Sequence, residues 1–390
     1  MANIELIVAG DLCLDITPEF NHEHTFEQVF SPGRLSLVGK ATIATGGAVA
    51  NTGLAAHLLG LDTVLMGKIG TDLFGGIIKE HLLSYGVKLA LKTSLEVDSS
   101  YTFVLNLAGK DRFFIHHSGA NDYYYESDID KTLVQSTKIF HFGYPPLMKS
   151  IYQNQATELL KIYKNVKRFG LTTSLDMAMP DLSTESGQVD WEAVIKSVAP
   201  YVDIFLPSYE ELFLMLDRDE YLVWRDSGVK QELSETVDFT RVREFGRRLQ
   251  NYGMGIIMIK AGKNGIYLRT PAAERLKSLA GLSLGPEWAN KEFWAESVKP
   301  EFIASSTGAG DCAIAGFLTA LIRGYKPSEA IQLATFAGYQ NLKAIDAVSG
   351  LGCWENLLSC LNNEEINYNE LDLAGLGFKR EKKGLWSTDL

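Results

Sequence analysis

Short apolar runs ending near Gly or Asp recur along this chain, each followed by a helical pattern, and that alternation constrains the fold more than any other feature. The strand-like runs include residues 6–9, 63–67, 139–142, 171–175, 204–206 and 256–259. Helical spacing follows over residues 49–59, 75–85, 151–169, 191–198 and 241–252. Strands with no polar alternation are buried on both faces. The pattern therefore predicts an α/β fold, a three-layer sandwich with a mostly parallel central sheet flanked by helices. Ligands in such folds sit outside the carboxyl ends of the strands.

Residues 12–45 and 97–118 break the alternation with short β-like runs with polar alternation, such as Tyr101-Thr102-Phe103-Val104-Leu105-Asn106 and Arg112-Phe113-Phe114-Ile115-His116. Strands from these separate segments predict a small β-sheet lid over the edge of the main sheet. Residues 217–238 and 271–301 read as insertions; they are charged or punctuated by Gly and Pro, and carry Trp224, Trp288 and Trp294. The tail 379–390 is charged and polar and is expected to be loosely held, leaving one domain over residues 1–378.

A balance of 37 Lys and Arg against 48 Asp and Glu, net −11, excludes extended nucleic-acid binding, which needs a basic footprint. It leaves room for a small anionic substrate held by a few local groups. The 4 cysteines form no CxxC pair, so reduced thiols in a cytoplasm are expected rather than disulfides or zinc. Residues 4–10 read as a first strand rather than a signal peptide, and no apolar run reaches membrane-spanning length.

Chemistry concentrates in Ser306-Thr307-Gly308-Ala309-Gly310-Asp311, a glycine-rich turn running into an apolar helix. Successive N–H groups before a helix N-terminus attract anions such as phosphate. A carboxylate fixed beside that cradle can take a proton from a hydroxyl attacking phosphorus. The plainer reading is a capped helix start, where Asp, Ser and Thr are common. A second block, Gly46-Gly47-Ala48-Val49-Ala50-Asn51, opens another helix. Its glycines admit close approach of a ligand, and Asn51 can donate and accept toward a polyol. The glycines could equally serve helix–strand packing alone. Asp15, after the first strand, can accept two hydrogen bonds from a diol, or merely cap a turn.

These blocks in this order resemble the ribokinase-like (PfkB) family of carbohydrate kinases, from the first strand to about residue 350. The resemblance implies that Asp311 is the catalytic base and that Gly308, Ala309 and Gly310 form the anion hole. It implies that Asp15, Gly46, Gly47 and Asn51 bind the phosphoryl acceptor. Glu211, in Pro207-Ser208-Tyr209-Glu210-Glu211, matches an acidic residue linked to Mg²⁺ through water and phosphate. Lys260, Gly262, Asn264 and Gly265 match a strand end and turn along the nucleotide, and Asn341 a position lining the adenine pocket.

Departures accompany the match. Ser208 replaces the usual Asn of an Asn-x-x-Glu motif, and Ala48 stands where ribose kinases carry Lys. Ser305 replaces an Asp that helps some members bind a monovalent cation, which puts potassium activation in doubt. The expectation is an ATP- and Mg²⁺-dependent kinase acting on a small sugar or sugar acid by in-line transfer. A nucleoside kinase and a non-catalytic sugar or nucleotide sensor are the alternatives. The partners expected are a small molecule and, through the lid, a second copy of the chain; neither nucleic acid nor membrane is expected. His116, His117 and Arg112 in the lid are further candidates to face the acceptor. Tyr123 to Tyr125, Trp288 and Trp294 are expected to pack.

Overall fold

The computed structural model describes residues 4–20, 26–107, 113–227, 233, 236–363 and 365–390. Arg112 and parts of the 217–238 segment lie outside them. An 11-stranded sheet organises the chain. From one edge its strands run Lys88–Leu89, Thr63–Met66, Ile4–Gly10, Thr137–Gly143, Thr172–Leu175, Ile204–Phe205 and Ile256–Lys260, all parallel. Ile266–Arg269, Lys291–Ala295, Leu385–Asp389 and Lys379–Lys382 continue it as an antiparallel extension.

Side chains on a strand alternate between faces, and both faces here are apolar. Leu6 and Val8 enter one core with Ile256 and Met258, while Ile7 and Ala9 enter the other with Ile257 and Ile259. Helices Gly47–Leu58, Ala309–Ile322 and Pro327–Asn341 cover the first face through residues such as Leu54, Phe317 and Phe336. Helices Lys149–Lys167, Trp191–Val198, Tyr209–Leu216 and Phe239–Asn251 cover the second through Ile162, Val194, Leu212 and Phe245. The three-layer α/β sandwich expected from the alternation is the fold observed. Among the described residues no helix is long and apolar enough to cross a membrane.

The lid is a separate 4-stranded sheet ordered Ala41–Gly46, Cys13–Pro18, Tyr101–Leu105, Phe113–His117, drawn from the two segments that broke the pattern. His116 and His117 both lie on its outermost strand and are exposed. His116 Nδ1 is 3.0 Å from Thr102 Oγ1, and the His117 ring lies 5.4 Å from that of Tyr101.

Two expectations are corrected. The tail beginning at Lys379 is not loose: Leu385–Asp389 pairs with Lys291–Ala295 along its length, and Leu385 and Trp386 are buried. Trp386 Nε1 also donates to Glu296 Oε1 at 2.9 Å. Residues 271–301 are not wholly an insertion, since they supply a sheet strand; Trp288 and Trp294 are buried anchors, as expected of packing residues.

Candidate active site

At the carboxyl edge of the parallel sheet the strand ends present a crowded set of polar groups. Asp11 follows Ile4–Gly10, Tyr144 follows Thr137–Gly143, Asp176 follows Thr172–Leu175, and Lys260 closes Ile256–Lys260. The first two strand ends meet without side chains between them. A Cβ on Gly10 would fall 2.3 Å from the Gly143 carbonyl oxygen, so only glycine fits there. Helix Ala309–Ile322 is aimed at this edge, with Asp311 in its first turn.

The turn before that helix is shaped by Gly308, whose φ of 73° is left-handed, and a Cβ there would lie 2.2 Å from the Ala347 carbonyl oxygen. First-turn amides have no intrahelical acceptor. Ala309 N–H is directed back to Ser306 O at 3.3 Å, and the Gly308 carbonyl accepts from Cys312 N at 2.8 Å. The turn is tethered from behind by Asn341, whose Nδ2 donates to Thr307 O at 2.8 Å and Asp346 O at 3.2 Å. Asn341 Oδ1 accepts from Gly350 N at 3.3 Å. Asn341 is fully buried, and its amide is bonded to the backbone of this turn and of residues 346–350.

Asp311 is held by three side chains from two places, the helix Gly47–Leu58 and the strand end at Tyr144. Thr52 Oγ1 donates to Oδ1 at 3.1 Å, Asn51 Nδ2 to Oδ2 at 3.1 Å, and the Tyr144 hydroxyl lies 2.8 Å from both oxygens. Burial raises the proton affinity of the Asp311 carboxyl, against the pull of Lys260 and of the Tyr144, Asn51 and Thr52 donors. A carboxylate with raised affinity is a stronger base, and these donors keep it oriented. Asn51 Oδ1 is buried with no hydrogen-bond partner, an acceptor left over for a ligand.

Lys260 lies beneath the turn. Its Nζ pairs with Asp176 Oδ1 at 2.8 Å, and a Cβ on Gly310 would sit 3.6 Å from its Cδ. Burial alone would lower the ammonium's pKa, but Asp176, Glu211 and Asp311 hold it above the usual lysine value. Burial pushes the Asp176 carboxyl up to about 8 despite Lys260. Glu211 belongs to a capping box: its Oε2 accepts from Ser208 N at 2.7 Å, and Ser208 Oγ accepts from Glu211 N at 3.3 Å. The serine that replaces the usual Asn is thus the helix cap. Gly262 and Gly265 have φ of 54° and 85°, and the Asn264 carbonyl accepts from Trp294 Nε1 at 2.7 Å, fixing that turn against the neighbouring strand.

At the start of helix Gly47–Leu58 each of two successive glycines, Gly46 and Gly47, faces a carboxylate. A Cβ on Gly46 would meet Asp15 Oδ2 at 2.3 Å, and one on Gly47, with φ of 83°, would meet Asp11 Oδ2 at 2.4 Å. Burial pushes Asp15 up to about 6, against bonds from Cys13 and Thr102. Burial, then the carboxylates of Asp15, Asp122 and Asp311, push Asp11 up to about 8, and Asn121 Nδ2 donates to its Oδ1 at 2.7 Å.

The Asp11 shift has a measurable sign. Between the ordinary carboxylate value of ~3.9 and about 8, the folded chain keeps a proton that the unfolded chain releases. Stability from this group is full at low pH and is lost as pH rises through that window. Asp11→Asn removes the proton but keeps an acceptor for Asn121. In thermal melts from about pH 5 to about pH 9, the variant should gain on the parent as pH rises. A pH-independent difference would show that Asp11 is ionised in the fold.

The structure gathers Asp311, Asn51 and Lys260 into one cluster and sets Asp15 against Gly46 beside it. Sequence reasoning missed Thr52, Tyr144 and Asp176. Thr52 neighbours a chosen residue, and the other two follow strand ends, which is the signal that could have found them.

Comparison with known proteins places the chain among relatives. A family model described as pfkB family carbohydrate kinase matches residues 6–350. An ATP-dependent 6-phosphofructokinase of Thermoanaerobacterium thermosaccharolyticum is 24% identical over 307 residues, covering 78% of this chain and 81% of that protein. A 5-dehydro-2-deoxygluconokinase of Clostridium perfringens is 21% identical, covering 84% and 86% respectively. The structure of Arabidopsis thaliana ribokinase complexed with ribose and ATP superposes with a TM-score of 0.68 at 18% identity, covering 93% of this chain and 99% of that one.

Proposed function

Because the chain belongs to the pfkB family of carbohydrate kinases, we propose that it transfers the γ-phosphoryl group of ATP to a primary hydroxyl of a small sugar or sugar acid. The observation that carries this reading is the 3.1 Å bond from Asn51 to Asp311, which joins the acceptor block to the phosphate turn. Asp311 takes the hydroxyl proton as the oxygen attacks in line, and no covalent phospho-enzyme forms. Gly308, Ala309 and Gly310 receive the transferring group, with Lys260 beneath them adding positive charge. Such positioning and charge neutralisation are most of what a protein supplies to phosphoryl transfer. Asp15, Gly46, Gly47 and Asn51 face the acceptor. Lys260, Gly262, Asn264 and Gly265 lie toward the nucleotide.

The donor set fits Mg²⁺. Among the described residues no group of three or more His, Cys, Asp or Glu side chains forms a metal cage. Mg²⁺ ordinarily keeps waters and takes one or two carboxylates plus substrate phosphates. Glu211 would hold it, through water, and the ion would supply neutralisation of phosphate charge.

The test is ADP release over a panel of sugars, phosphorylated sugars, sugar acids and nucleosides. Phosphofructokinase and deoxygluconokinase relatives put fructose 6-phosphate and keto-deoxy sugar acids first in it. The expected result is release with at least one sugar or sugar acid. Release with nucleosides alone would replace the acceptor class, and silence throughout would favour a binding-only sensor.

A further inference from the structure

Among the described residues the Tyr144 hydroxyl is the one donor placed symmetrically on the proposed base, 2.8 Å from Asp311 Oδ1 and 2.8 Å from Oδ2. Thr52 and Asn51 already serve one oxygen each, so the remaining acceptor capacity of the carboxylate faces the phenol. A hydroxyl that is to lose its proton to Asp311 must reach the same place, within ~2.6–3.2 Å of an oxygen. The phenol stands where the reacting hydroxyl has to be.

Its backbone is held there at a cost. Tyr144 has φ of 63°, a left-handed conformation in a residue that is not glycine, and Pro145 follows, which normally drives the preceding residue to extended geometry. Gly143 on its other side has no room for a side chain, since a Cβ would fall 2.2 Å from that of Ala48. Strained backbone between a constrained glycine and a proline pair is a built position rather than a loose loop.

We propose that Tyr144 is a positioning residue that caps Asp311 in the acceptor-free enzyme and so denies the base to water. This rests on the kinase reading of the site. The reaction suppressed is hydrolysis. In it the water oxygen bonds to the γ-phosphorus, the bond to the β–γ bridging oxygen breaks, ADP leaves with that electron pair, and the water proton passes to Asp311. A lone water brings only its own hydrogen bonds and does not displace the phenol. A sugar brings contacts to other groups, and that remote binding energy moves the phenol off the base.

The test compares ATP hydrolysis without acceptor in the parent, Tyr144→Phe and Tyr144→Phe/Asp311→Asn, alongside transfer by the parent to the acceptor panel. Phenylalanine keeps the ring and removes only the cap. Hydrolysis should rise about tenfold in Tyr144→Phe, a fraction of the ~10²–10⁴ that a general base supplies. It should return to the parent level in the double variant. Equal hydrolysis in parent and Tyr144→Phe overturns the proposal, as does a rise that survives loss of Asp311. A parent that phosphorylates nothing in the panel refutes the kinase reading separately, since the hydrolysis comparison needs no sugar.

Discussion

Asp311→Asn is expected to lower the transfer rate by ~10²–10⁴ while leaving the fold and nucleotide binding in place. The substitution keeps the shape of the side chain and the acceptor that Thr52 and Tyr144 use at Oδ1. The new amide NH2 would confront Asn51 Nδ2, which now donates to Oδ2. Asn51 can turn its amide over and offer Oδ1, which has no partner in the present arrangement. Turning it over moves its own NH2 into the buried place where Oδ1 now has no partner, so the variant should fold with a modest loss of stability beside the loss of the base. Steady-state transfer, a melting curve and a nucleotide titration together check this. A turnover within threefold of the parent, on the order of 0.6 kcal/mol, would remove Asp311 from the chemistry.

Lys260→Met should have the next largest effect, on both rate and stability. Lys260 and Asp176 are buried together, and removing one partner of such a pair typically costs ~3–5 kcal/mol. Asp176 can soften that cost by keeping a proton, since burial already pushes its carboxyl up to about 8. Without Lys260 the affinity rises further, because Lys260 is what lowers it. The folded variant then holds its proton to a pH above the parent's value of about 8, so its stability goes on falling with rising pH after the parent's has levelled. Melts should show a larger deficit at about pH 9 than at about pH 6. Catalysis should fall by ~10²–10³, the usual loss when one preorganised charge-stabilising group is removed. Equal deficits at both pH values would mean that Asp176 is not the group left behind, and an unchanged rate would place Lys260 away from the phosphoryl path.

The sheet and its helices were legible because residues such as Leu6, Val8, Ile256 and Met258 are apolar on strands buried on both faces. The lid was legible because its strands come from the two segments that break the strand–helix succession. The antiparallel extension was not. Lys379–Lys382 is wholly exposed, and an edge strand protected by charge reads in sequence like a solvated tail. Its neighbour hides two buried residues, Leu385 and Trp386, in a run too short to announce itself.

In the site, residues at glycine turns were legible because the turn geometry demands glycine, as at Gly47 and Gly308. Tyr144 and Asp176 were not, since an unremarkable residue at a strand end gains meaning only from what stands opposite. Asn341 shows the converse. Its position along the helix was informative, but only three-dimensional contacts reveal that its amide is consumed by Thr307, Asp346 and Gly350.

The bond between Asn51 and Asp311 spans 260 residues of chain. During synthesis the acceptor block leaves the ribosome long before the turn exists, and the brace at Asn341 comes later still. A nascent chain that has formed only its first strands and the helix Gly47–Leu58 has no base to aim and no cradle for phosphate. On the kinase reading, the two halves of the site can therefore meet only after residues beyond Asp311 have been made, and loss of the last quarter of the chain removes the base and its tether together.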